Sequence, residues 1–152
     1  MRALALSVLL LAPAAAAQSS SDLVAWTVRA VGAERGETAR VELGAEVAEG
    51  WRLYGVGSPV GVPLVLTLAD LPRGVSLGPL TEVGVVEGYD EVFEARYPYY
   101  EGSGRLVQRL AVGRRAARGR HEVTGRVRYA VCNDRICLPP VTTSFRATLV
   151  VR

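Results

Sequence analysis

The chain's two cysteines, Cys132 and Cys137, lie in residues 129–140, "YAVCNDRICLPP", with four residues between them. Thiols at this spacing can form a fixed bridge, clip a metal, act as a nucleophile, or cycle between dithiol and disulfide. A metal clip is the weakest option. Two sulfurs cannot close a tetrahedral zinc site, and the lone His121 has no partner at suitable spacing. A hydrolytic cysteine lacks its base for the same reason. A structural disulfide is the serious competitor, because export to an oxidising compartment favours one. Closing so small a loop, however, stabilises a fold by only about 2 kcal/mol in the chain-entropy model, against about 4 for a bridge spanning the domain. Short bridges near the surface are also the reducible ones. The sequence leans towards a bridge that opens and closes, with the purely structural bridge beside it.

The elements that must position this pair read as strands. In residues 39–48, "ARVELGAEVA", Val41, Leu43, Ala45 and Val47 share one face, while Arg40, Glu42 and Glu46 share the other. The same period fits Val24, Trp26 and Val28, and the alternate residues from Val141 to Val151. Residues 63–68 and 104–112 give further strands. The pieces "YGVGSPVGVP", "LPRGVSLGP" and "YEGSG" read as turns. Short strands with Gly and Pro punctuation indicate an all-β sandwich or barrel. The strand entering the motif places Val123, Val127, Tyr129 and Val131 on its apolar parity. Cys132 falls on the opposite, polar side, away from any packing between sheets.

The first 17 residues combine Met1-Arg2, an apolar run and Ala15-Ala16-Ala17, the pattern of a secretory signal peptide cleaved near Ala17. About 135 residues then remain, a size at which one domain, residues 18–152, buries its own core. No later stretch approaches the roughly 20 apolar residues of a spanning helix. The formal net charge of +3 is carried without a single Lys and is too small to imply a nucleic-acid partner. The densest basic stretch, residues 113–121, "GRRAARGRH", reads as a solvated loop between strands.

Residues 127–140, "VRYAVCNDRICLPP", resemble the signature of the N-terminal periplasmic domain of the thiol:disulfide interchange protein DsbD. Two more segments are similar to that family in the same order. "VAEGWRLYG" (47–55) resembles its early aromatic strand, and "EGYDEVFEARYPYYEG" (87–102) resembles its cap-loop region. The resemblance implies an immunoglobulin-like β-sandwich whose Cys132 and Cys137 cycle between dithiol and disulfide without a cofactor. Cys137 matches the cysteine that forms the mixed disulfide with a partner, and Cys132 the one that resolves it. At Asp90-Glu91-Val92-Phe93 the family carries a cap that shields the cysteines. Phe93 is the candidate shield, with Val92 in that role if the alignment slips by one; the other reading of Phe93 is a core aromatic. Asp90 and Glu91 would sit near the thiols, where a carboxylate raises a thiol pKa or relays a proton; otherwise they are polar loop residues. Tyr54 matches a tyrosine beside the site and reads equally as a half-buried strand residue.

The implied partners are thioredoxin-like proteins or domains, including a separate membrane-embedded reductase as donor. They imply a periplasmic or secreted component of a protein-disulfide reductase, not an enzyme with a small-molecule substrate. The best-studied family members carry one more residue between the cysteines, so the loop here is tighter. The alternative function is a non-catalytic β-sandwich interaction module with a passive hairpin disulfide.

Overall fold

A computed structural model describes residues 18–152; the signal-peptide expectation for residues 1–17 lies outside them. The strands are β1 (Val24–Val31), β2 (Thr38–Val47), β3 (Arg52–Tyr54), β4 (Val65–Ala69), β5 (Val75–Val83), β6 (Val86–Asp90), β7 (Ala95–Tyr100), β8 (Ser103–Val112), β9 (Gly119–Tyr129), β10 (Val131–Cys132) and β11 (Val141–Val151). They form antiparallel sheets in the orders β1-β2-β8-β5, β11-β9-β4 and β10-β3-β7-β6. A single 3₁₀ turn, Ser20–Asp22, precedes β1. This is the expected all-β, immunoglobulin-like sandwich.

Period-two patterning explains why these segments are strands. Along β2, Ala39, Val41, Leu43, Ala45 and Val47 are buried, while their neighbours face outward. Leu106 and Leu110 of β8, Val123, Val127 and Tyr129 of β9, and Leu149 of β11 complete a contiguous core, which Leu53, Tyr100 and Val131 extend under the third sheet. Trp26 meets Tyr129 edge to face, with ring centroids 5.3 Å apart, and so couples the first sheet to the second. The β9–β11 ladder pairs eleven residues without interruption, from Tyr129↔Val141 to Gly119↔Val151. Above its Tyr129 end stands the cysteine hairpin.

Two sequence expectations are corrected here. "LPRGVSLGP" is not only a turn: its second half enters β5, which pairs with β8 through a register shift between Leu77 and Leu80. β5 is an edge strand, and the shift passes over Gly78 and Pro79, where a residue without an N–H is tolerated. Cys132 does take the face opposite the core residues Val131 and Leu53, as the parity predicts, but it is not open to solvent there; it is only 2% exposed. The parity count treated residues 121–132 as one strand. The chain instead leaves the second sheet after Tyr129 and joins the third at Val131, and both residues of β10 are buried. The basic stretch 113–121 does form an exposed loop running into β9, apart from buried Ala116. His121 lies at its end, with Nε2 2.9 Å from the Ala117 carbonyl oxygen.

Candidate functional site

The hairpin is built from its own turn chemistry. Asn133 Oδ1 accepts hydrogen bonds from the Arg135 and Ile136 N–H groups, both at 2.9 Å. The Asn133 N–H in turn donates to the Ile136 carbonyl at 2.9 Å. Asn is suited to this because its short side chain mimics a backbone turn. The fold brings Cys132 and Cys137 directly opposite each other, with Cα atoms 4.0 Å apart, and they are joined as a disulfide. Below them the Leu138 N–H donates to the Val131 carbonyl at 2.9 Å. Pro139 and Pro140 have no N–H with which to continue such pairing.

The two cysteines stand in different environments. Cys132 is buried where β10 pairs with β3, while Cys137, like Asp134, Arg135 and Ile136, is exposed. A reagent in solution meets Cys137.

Two supports were not apparent in the sequence. Ser20, fully buried in the 3₁₀ turn, donates from Oγ to the Pro139 carbonyl at 3.0 Å and accepts from the Val131 N–H at 3.4 Å. It thereby touches both legs of the hairpin. Its turn is set by a capping box between Ser19 and Asp22, a signal present in "SSSD". Arg52 of β3 lies directly opposite Cys132. Its Nε donates to Glu101 Oε1 and its Nη1 to Asp134 Oδ1, each at 2.9 Å. Its guanidinium carbon lies 5.5 Å from the centre of the Tyr99 ring. The Glu101 hydrogen bond first, then Asp134, hold the pKa of Arg52 above its ordinary value, against the opposing effect of burial.

Directly opposed residues of adjacent strands share a sheet face. By that register Cys132, Arg52, Tyr54, Tyr97, Tyr99 and Asp90 all look the same way. Tyr54 is half-buried and packs on Tyr97 with ring centroids 5.5 Å apart; Tyr97 packs on Tyr99 at 5.6 Å. Gly61, at φ +68°, lies directly under the Tyr54 ring, where any β-carbon would overlap it. Burial, then the charges of Tyr97 and Asp90, push the Tyr54 phenol upward, with Arg52 pulling the other way. Tyr54 and Asp90 are therefore electrostatic neighbours.

The cap segment is the tip of the β6–β7 hairpin. Asp90 Oδ1 accepts from the Val92 and Phe93 N–H groups at 2.9 Å each, which commits it to shaping the turn. Glu91 is exposed, as are Val92 (87%) and Phe93 (67%). Phe93 is thus no core aromatic. With Cys137 exposed as well, the tip does not seal the disulfide in this conformation. Among the described residues no group of three or more His, Cys, Asp or Glu side chains could hold a metal ion.

An immunoglobulin-like sandwich that presents a disulfide on an edge hairpin, one cysteine exposed and one buried, defines a small class of domains. The chain belongs to the family described as thiol:disulfide interchange protein DsbD, N-terminal, whose pattern matches residues 20–149. It is similar in fold to the N-terminal domain of Neisseria meningitidis DsbD in the reduced form. The identity is 22% and the TM-score 0.52, over 85% of this chain and 92% of that one. It is also similar to the N-terminal periplasmic domain of ScsB from Proteus mirabilis, at 14% identity and TM-score 0.50, over 84% of this chain and 45% of that one. No match was found among curated protein sequences.

Proposed function

We propose that this protein is an exported thiol–disulfide exchange protein, a component of a protein-disulfide reductase. In this reading it relays electrons from a thioredoxin-like donor to periplasmic acceptor proteins through Cys132 and Cys137. The observation that carries the reading is the unequal exposure of the two cysteines. Family membership and the periplasmic neighbour in fold support the compartment. Residues 1–17 then serve as the signal peptide, and residues 18–152 as the exported domain.

The steps follow from exposure. A donor thiolate attacks Cys137 Sγ, a mixed disulfide forms, and Cys132 leaves as a thiolate that takes up a proton. The donor's second thiolate then attacks its own sulfur in the mixed disulfide and expels Cys137. The donor is oxidised to a disulfide and this protein holds the two electrons as a dithiol. To pass them on, the Cys137 thiolate attacks an acceptor disulfide, and Cys132 attacks Cys137 Sγ to release the acceptor as a dithiol. Thiolate fraction, leaving-group pKa and access set the rates, and no cofactor enters. Asp90, Glu91, Val92 and Phe93 form the cap in this reading, and Tyr54 flanks the cysteines.

Trapping tests the assignment of roles. Cys132→Ala should hold a thioredoxin-like partner in a mixed disulfide at Cys137, visible as a DTT-sensitive adduct on a non-reducing gel. Trapping by Cys137→Ala alone would reverse the roles. A bridge that resists dithiothreitol until the fold is denatured would favour a passive interaction module.

A further inference from the structure

We infer that Arg52 is a positioning residue for the cysteine pair: by holding Asp134, it keeps the Cys137 arm beside Cys132 when the covalent bond is open. The inference rests on the thiol–disulfide reading above.

β10 pairs with β3 at two positions only, Val131↔Leu53 and Cys132↔Arg52, and it is the edge strand of its sheet. Past Cys132 the turn projects from that edge. In the oxidised protein the disulfide closes it. Once reduced, the arm is held at its base by Ser20 and the Leu138–Val131 hydrogen bond, and within the turn by Asn133. Arg52 to Asp134 is the side-chain link from the turn itself to the body of the sheet.

An exposed ion pair is usually weak, because two flexible side chains must be ordered to form it. Here the guanidinium is already held by Glu101, in the β7–β8 corner, and lies over Tyr99. Much of the ordering cost is met before Asp134 is engaged. A forked donor suits this dual task, and an ammonium would not reach both carboxylates with the same geometry.

The consequence is thermodynamic. Disulfide formation depends on the effective concentration of one thiol at the other, and a looser arm lowers it. Consider the exchange in which the protein disulfide and two glutathione thiols become the protein dithiol and oxidised glutathione. Loss of the link shifts this equilibrium towards the dithiol. The expected shift is about threefold, within the range that exposed ion pairs supply. That corresponds to a potential about 14 mV less negative, at about 30 mV per tenfold for a two-electron couple.

The test is a glutathione redox titration of the full chain and of Arg52→Gln, Arg52→Lys and Asp134→Asn, read by alkylation and mass spectrometry. Arg52→Gln and Asp134→Asn should both move the equilibrium towards the dithiol, by similar factors, with Arg52→Lys between Gln and the parent. Should Arg52→Gln fail to fold, Asp134→Asn reads the same link from an exposed position. Opposite shifts from Arg52→Gln and Asp134→Asn would show charge acting directly on a thiolate and overturn the inference. So would unmoved equilibria in folded variants. A parent disulfide that does not titrate while folded would remove the functional reading and the inference with it.

Discussion

Ser20→Ala is the sharpest structural test of how the cysteine hairpin is held. The hydroxyl is fully buried and bridges the Val131 N–H and the Pro139 carbonyl, residues on the two legs of the hairpin. Its removal leaves a part-buried acceptor and a buried donor without this partner. A typical hydrogen bond contributes about 1 kcal/mol net, and stranding a buried polar group costs about 1–3. The 3.0 Å bond to Pro139 should carry most of the effect and the 3.4 Å contact with Val131 less, so about 2 kcal/mol is expected in all. With a urea m-value of about 2 kcal/mol/M, the midpoint should fall by roughly 1 M. The melting temperature should fall by about 6–10 °C for a domain of this length. The loss should appear in the oxidised protein, because the hydroxyl grips the chain outside the disulfide ring. In reduced protein, iodoacetamide should also reach Cys132 faster. A midpoint within about 0.2 M of the parent, with Cys132 alkylation unchanged, would refute the claim that this hydroxyl holds the hairpin base.

Phe93→Ala should alter folding stability by no more than about 0.5 kcal/mol, since the ring is largely exposed, yet speed alkylation of the reduced thiols. Unchanged alkylation would leave Phe93 without a shielding role. At alkaline pH the decisive group is Tyr100, whose buried hydroxyl donates to Glu82 Oε1 at 2.8 Å. Burial first, then the hydrogen bond to Glu82 and its charge, raise its pKa far above the ordinary phenol. A folded-state pKa raised above the unfolded value of about 10 gives stability that is complete below pH 10 and lost as pH rises beyond it. Denaturant midpoints should therefore fall above about pH 10, with a slope of up to about 1.4 kcal/mol per pH unit from this group. Tyr100→Phe should flatten that fall, and an equal slope in the variant would reject the assignment.

What could be read in the sequence follows the range of each interaction. The alternation along β2 and β11 is local, and the structure places those side chains as the period requires. The cysteine motif is local too, and its two residues do meet. β5 was hidden because Gly78 and Pro79 resemble punctuation, although a register shift at a sheet edge accommodates both. Parity reads the face of Cys132, opposite Val131, but not its depth, which is set by the change of sheets at Ala130 and the pairing with β3. Arg52 with Asp134, and Ser20 with Val131, are separated by 82 and 111 positions. No local pattern brings such residues together; only the topology does. The cap residues carried a turn signal in Asp90, but nothing in their spacing fixed how far Phe93 stands from the core.

The eleven-pair ladder beneath the hairpin has a mechanical consequence. β9 and β11 emerge side by side into the two legs, so tension applied at the sulfurs opens the ladder like a zip, one pair at a time, instead of shearing it as a block. The first pair in line is Tyr129 with Val141, and Tyr129 is wedged against Trp26 of the opposite sheet. Distortion spreading from the tip therefore meets the Trp26–Tyr129 contact before it reaches any later pair of the ladder.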